Sequence, residues 1–130
     1  MSRETNNRSC ARANFAAFRY DKSLKLVNEQ ITVVAEFRVK SEVVEAFKSA
    51  AEKVVRATRK ETGCLNYDLH QSLEDESIFL MHENWTSDAA LEKHFETAHI
   101  AEFRRATAAM FDAPVSIRRF KLLDAAQVNL

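Results

Sequence analysis

The stretch "SIFLMHENWTSDAALEKHFETAH", residues 77–99, changes its hydrophobic period part-way along, and that change decides the fold class. From Ile78 to Trp85 the side chains alternate. Phe79, Met81, Glu83 and Trp85 share one side and Ile78, Leu80, His82 and Asn84 the other, the two-residue repeat of a strand. From Thr86 the repeat becomes helical. "TSD" supplies capping residues and an acidic first turn, and Leu91, His94, Phe95 and Ala98 fall along one helical face.

Upstream, "CLNYDLHQS" (64–72) reads as another strand, joined to this one through the polar turn "LEDE" in a hairpin. Further back, Ile31, Val33, Ala35, Phe37 and Val39 alternate through "QITVVAEFRV" (30–39), a first strand rich in β-branched residues. Between them, Val43, Phe47, Ala50, Val54 and Ala57 recur at helical spacing behind Ser41, a capping candidate. Gly63, the only glycine, is expected to stop that helix in a left-handed conformation. Downstream, after His99, "IAEFRRATAAMF" (100–111) is a second helical stretch, Pro114 ends helical structure, and "VSIRRFKLL" (115–123) supplies a last strand.

The order βαββαβ is that of a ferredoxin-like α+β domain with one four-stranded antiparallel sheet and helices on one face. Ile78 and Leu80 make the opposite face apolar as well, and monomers seldom expose such a patch. A homodimer packed sheet to sheet, a dimeric α+β barrel, is therefore expected.

At 130 residues the chain fits a single core. Residues 30–130 form the expected domain, and residues 1–29 a net-basic N-terminal extension, read as loosely ordered, with apolar surface at Phe15, Phe18 and Tyr20. Lys plus Arg equal Asp plus Glu at 19 each, which removes the basic field that nucleic-acid binding draws on. The absence of a run of about 20 apolar residues argues against a membrane span. Cys10 and Cys64 show neither CxxC spacing nor disulfide density, and the start lacks the apolar segment of a secretory signal, so a reducing cytoplasm is expected.

With one glycine, phosphate-cradling loops and dinucleotide fingerprints are excluded, and no nucleotide or flavin cofactor is expected. His70, His82, His94 and His99 lack the helical i, i+4 spacing of metal ligands, and no carboxylate completes a recognisable set, so no metal is expected either. What remains is acid–base chemistry on an organic molecule. Histidine titrates near neutrality, Glu83 on an apolar strand face invites a raised pKa, and Trp85 offers a flat apolar wall. Each also has a plainer reading: His94 and Trp85 as core, Glu83 as a strand-to-helix tie, Tyr67 as packing, His82 and Asn84 as interface.

Taken together, "ETGCLNYDLHQS" and the stretch quoted first resemble the antibiotic-biosynthesis monooxygenase family of dimeric ferredoxin-like proteins. The resemblance runs over residues 30–124 and rests on Glu61, Gly63, Cys64, Tyr67, Glu83, Trp85, His94, Thr97 and His99. It implies a quinol-monooxygenase-like enzyme that oxidises a small phenol or hydroquinone with O2 as co-substrate and without metal or flavin. On this reading His94 or His99 is the base, Glu83 orients it or relays a proton, and Tyr67, Trp85 and Phe95 bind the substrate. The family's haem-degrading branch is not matched, since Phe37, His94 and Arg104 stand at its three signature positions. An isomerase or tautomerase of the same fold, using the same Glu and histidines, and a non-catalytic ligand-binding stress-response dimer are the alternatives.

Overall fold

The computed structural model describes residues 29–128, so the extension expected over residues 1–29 lies, all but its last residue, outside the described residues. Strands β1 (Ile31–Arg38), β2 (Cys64–Gln71), β3 (Ile78–Trp85) and β4 (Ser116–Lys121) form one antiparallel sheet in the order β2-β3-β1-β4. Helices α1 (Val44–Thr58), α2 (Asp88–Phe95) and α3 (Ala98–Thr107) make up the connections, and a short α4 (Ala125–Val128) follows β4. This is the ferredoxin-like arrangement. Among the described residues no helix is long and apolar enough to cross a membrane.

Register fixes which side chains meet the helices. Val33 pairs with Glu83, Ala35 with Met81 and Phe37 with Phe79, while Tyr67 also pairs with Glu83, and paired residues share a face. All seven are buried. The core they start is completed by Phe47, Ala51 and Val54 of α1, Leu91 of α2, and Ile100 and Phe103 of α3. Phe47 sits at its centre, with ring centroids 4.8 Å from Phe79 and 5.3 Å from Phe37.

The structure departs from the sequence reading at several places, each with a local cause. Ser41 does not cap α1: Ser41–Val43 form a single 3-10 turn, the Ser41 hydroxyl turns to Glu42 at 3.4 Å, and the α-helix starts at Val44 without a side-chain cap. Gly63 is not in the left-handed region. A Cβ there would lie 2.3 Å from the Ala90 Cβ and 3.0 Å from the Thr86 hydroxyl, so the glycine lets the approach to β2 lie against α2. Strict alternation from Tyr67 would turn Leu65 inward, but the β2 register shifts between Cys64 and Asn66 and leaves Leu65 exposed. Finally, the helical stretch after β3 breaks at Thr97 rather than after His99. The Thr97 hydroxyl accepts from the Ile100 N–H and donates to the His94 carbonyl, ending α2 and starting α3.

The opposite face of the sheet is mixed rather than apolar. Ile78, Leu80 and Val34 are half-buried there, beside Asn66, His82, Asn84 and Thr32.

Candidate functional site

Between the sheet and α3 lies a cavity of about 170 Å³. Its walls are apolar: Val33, Ala35 and Phe37 from β1, Ile100 and Phe103 from α3, and Phe111, Val115 and Ile117 beyond. Its polar lining groups are Tyr67, Glu83, His94, Arg104 and Thr107. Tyr67, Glu83 and His94 are nearly inaccessible to solvent at 4%, 5% and 1% exposure and mark the deep end, whereas Arg104 and Ile117 are exposed and mark the mouth.

Each deep group is placed by its element. Glu83 is the polar member of the inward face of β3, and two residues on, the Trp85 indole N–H donates to its Oε1 at 2.8 Å. Burial pushes the Glu83 carboxyl up to about 7; the Trp85 bond opposes the rise, and the charge of Glu61 adds to it. His94 sits on α2 with its ring 4.6 Å from Trp85 and 5.3 Å from Tyr67. Its Nδ1 lies 2.8 Å from Glu61 Oε2. A carboxylate accepts only, so this bond puts the proton on Nδ1 and leaves Nε2 as the basic nitrogen. Nε2 has no hydrogen-bond partner among the described residues. Burial lowers the His94 pKa below its ordinary value, only partly offset by Glu61, so the ring is neutral at neutral pH.

Tyr67, Glu83, His94 and Phe95 thus converge on one cavity. Two other expected residues do not. Trp85 is fully buried and is not part of the lining; it stands behind Glu83 and His94, giving its N–H to the carboxylate, and so acts as support rather than wall. His99, in the first turn of α3, points its Nε2 at the same Glu61 oxygen, 2.6 Å away. It borders a separate groove with Lys53, Val54 and Glu102. Because Glu61 stands between the two rings, His94 and not His99 meets the cavity.

Two residues of the site were not singled out for a role from sequence. Glu61, 33 residues before His94, is brought to it only by the turn after α1, which no spacing rule anticipates. Arg104 carried a usable signal. It lies in the stripe Ile100, Phe103, Arg104, Thr107 at i, i+3, i+4 and i+7, an exposed charge in line with three buried residues of the helix.

Glu61, His94 and His99 place ligand atoms within 4.8 Å of one another, a set able to hold a metal ion that histidine spacing alone did not disclose. Metal-bound imidazoles are held from their second nitrogen by an outer partner. Among the described residues neither His94 Nε2 nor His99 Nδ1 has one, and both rings already spend their inner nitrogen on the carboxylate. The trio has the chemistry of a hydrogen-bonded base and orienter.

The sequence profile described as "Antibiotic biosynthesis monooxygenase" matches residues 30–106, more than half of the chain. The chain belongs to the antibiotic biosynthesis monooxygenase family. Within that family it is similar to "Putative monooxygenase YcnE" of Bacillus subtilis, with 36% identity over 92 residues, 71% of this chain and 97% of the relative. It is 27% identical over 96 residues to "Putative monooxygenase Rv0793" of Mycobacterium tuberculosis, 74% of this chain and 94% of that protein. The crystal structure of PA3566 from Pseudomonas aeruginosa superposes with a TM-score of 0.70 at 35% identity, covering 74% of this chain and 96% of that one. The family match includes Glu61, Tyr67, Glu83, His94 and Arg104, so the titratable groups of the cavity lie inside the matched residues, whereas Thr107, Phe111, Val115 and Ile117 of its wall lie beyond them. Membership places the chain among proteins named for monooxygenase activity.

Proposed function

We propose that the protein is a monooxygenase that oxidises a small phenol or hydroquinone with O2 and without a metal or flavin, using His94 as the base. The observation that carries this reading is His94 itself. It is a buried, neutral imidazole on the wall of an apolar cavity, with Nδ1 fixed by Glu61 and Nε2 unspent. The cavity size agrees, since about 150 Å³ suffices to hold benzene and 170 Å³ leaves room for ring substituents.

The chemistry follows from the groups present. His94 Nε2 takes the phenolic proton, and the electron-rich anion passes one electron to O2. Superoxide and the phenoxyl radical recombine at ring carbon to a peroxide, which takes up a proton. Loss of the ring C–H proton and of water then gives the quinone, so phenol plus O2 yields quinone plus water. Glu83, with a carboxyl near 7, is matched to supplying and removing protons in the peroxide steps at neutral pH. The apolar walls keep bulk water from the radical pair.

A second reading draws on the same pair. Glu83 and His94 lining one cavity equally suit an isomerase that moves a proton around a carbonyl. A core without a cavity around Glu83 and His94 would favour the non-catalytic reading; both groups line a cavity instead. Oxygen uptake separates the two enzymes. One O2 consumed per quinone formed, lost on anaerobiosis, supports the monooxygenase. Substrate turnover with solvent-deuterium exchange and no O2 consumed replaces it with the isomerase.

The proposal extends to assembly: two copies pair through the open sheet face, where Ile78 and Leu80 lie and Phe120 is about half exposed at 47%. Light scattering at micromolar concentration should give the mass of a dimer, and Leu80→Asp should reduce it to that of a monomer.

A further inference from the structure

The seven arginines among the described residues divide sharply. Arg38, Arg56, Arg59, Arg105 and Arg119 each have a carboxylate partner, respectively Glu36, Glu52, Asp68, Glu102 and Asp88. Arg104 and Arg118 have none among the described residues; each lies over an aromatic ring instead, Arg104 at 5.7 Å from the Phe95 centroid. Of these two, only Arg104 lines the cavity.

The charges on the cavity wall then sum to a positive value. Its titratable lining groups are Tyr67, Glu83, His94 and Arg104. His94 is neutral at neutral pH, Tyr67 keeps its proton because burial raises its pKa, and Glu83 is at least part protonated. Arg104 is always charged. A guanidinium without a counter-ion beside an apolar cavity is a standing attraction for an anion, and its planar fork matches a carboxylate in two parallel hydrogen bonds. Position adds direction. Proton-transfer groups lie at the deep end and Arg104 at the mouth, so one ring spans the two only with its hydroxyl inward and its charge outward.

We propose that the cavity selects a single-ring phenol that carries a carboxylate, and that Arg104 is the residue that reads this charge. The inference rests on the cavity being the substrate site of the reaction above, and it deepens that reading by naming the substrate class.

The test is a binding comparison made without O2, so that no turnover intervenes. Gentisate, its neutral carboxamide and plain hydroquinone share one ring and differ in charge. Their dissociation constants can be read from the fluorescence of Trp85, the only tryptophan, whose ring lies 4.6 Å from that of His94 beside the cavity. Gentisate should bind about threefold or more tighter than the carboxamide, the scale of a solvent-exposed ion pair, and the preference should shrink as salt rises. In Arg104→Gln the ratio of the two constants should fall towards one, and Arg104→Lys should recover part of it. Arg105→Gln, at the adjacent position off the cavity, should keep the wild-type ratio. Equal affinities in the wild type, a preference that survives Arg104→Gln, or no binding by any of the three overturns the proposal. Oxygen uptake with gentisate is measured separately. A charge preference without uptake retains this inference and overturns the monooxygenase reading, and uptake without a preference does the reverse.

Discussion

Glu83 and Asn84 are neighbours on β3, yet the sheet puts them to opposite uses. Glu83 faces the helices at 5% exposure, and among the described residues its hydrogen-bond partner is the Trp85 indole. Asn84 faces away and makes three of its four possible side-chain hydrogen bonds: its Oδ1 accepts from Gln30 and from the Thr32 hydroxyl, and its Nδ2 donates to Asn66 at 2.7 Å. A carboxyl in a dry, thinly bonded setting has its pKa moved and becomes useful for chemistry. An amide in a half-buried, well-bonded setting cannot titrate and ties neighbouring strands together. The helix side of the sheet thus concentrates unspent capacity, as at His94 Nε2 and Arg104, and the open side consumes it.

The strongest way to break this contrast is at His94. His94→Asn keeps a polar group near Glu61 but removes the basic nitrogen, and kcat should fall by about 100-fold or more, the usual contribution of a general base. Steady-state oxygen uptake checks it, and an unchanged rate removes His94 from the mechanism. Glu61→Gln should act through His94 and cost less, roughly tenfold in kcat. Because Glu61 raises the His94 pKa against burial, its removal should also move the acid limb of the rate profile to lower pH, a shift that mere loosening of the fold does not produce.

Glu83 offers a stability test with a definite sign. In the unfolded chain its carboxyl loses its proton near 4.5, and in the fold near 7. Between these values the folded state holds a proton that the unfolded state has lost, so Glu83 makes stability fall as pH rises through the window. Glu83→Gln has no proton to lose. Its stability relative to the wild type should improve steadily from pH 4.5 to 7 and then level off, by about 3 kcal/mol in all. Urea unfolding at a series of pH values measures this, and a flat difference would place Glu83 in a wetter setting than the inward face of β3.

Gly63→Ala probes the approach to β2. The added methyl would meet Ala90 Cβ at 2.3 Å, and forcing α2 aside should cost about 1–3 kcal/mol. Ala90→Gly in the same chain should recover part of this loss despite its own helix penalty of about 1 kcal/mol.

These tests also mark what sequence makes legible. The period change at Trp85 and the alternation of β1 and β3 were sufficient for strand order and for which face Glu83 takes, because side-chain direction in a strand is a strict two-residue property. Gly63 was placed at the right junction for the wrong reason: composition shows that a glycine is needed, but only tertiary contact shows that Ala90 needs the space. The separation of His94 from His99 was not legible, since it depends on where the helix breaks, and Thr97 ends α2 two residues earlier than the polar pattern indicates. Glu61 was visible as part of a family pattern and invisible as a partner, because hydrogen bonding across 33 residues is a product of the fold.

The smallest expected effect lies on the open face and asks what covers it. Asn84→Ala removes the centre of the Gln30–Thr32–Asn66 network. If that face met only water, solvent would satisfy the released groups, and the cost should stay within about 0.5 kcal/mol, as for an ordinary surface change. If a second copy covers it, the Asn66 Oδ1 and the Thr32 hydroxyl lose their Asn84 partner in a closed interface, at about 1–3 kcal/mol. The dimer proposed above predicts the second outcome, with kcat unchanged because no cavity group is touched. It predicts further that the wild-type melting temperature rises with protein concentration, as coupling of folding to association requires. In Asn84→Ala the midpoint at low concentration should drop most. A cost that is independent of concentration would assign the network to the stability of the single subunit and leave the pairing of sheets to Ile78 and Leu80.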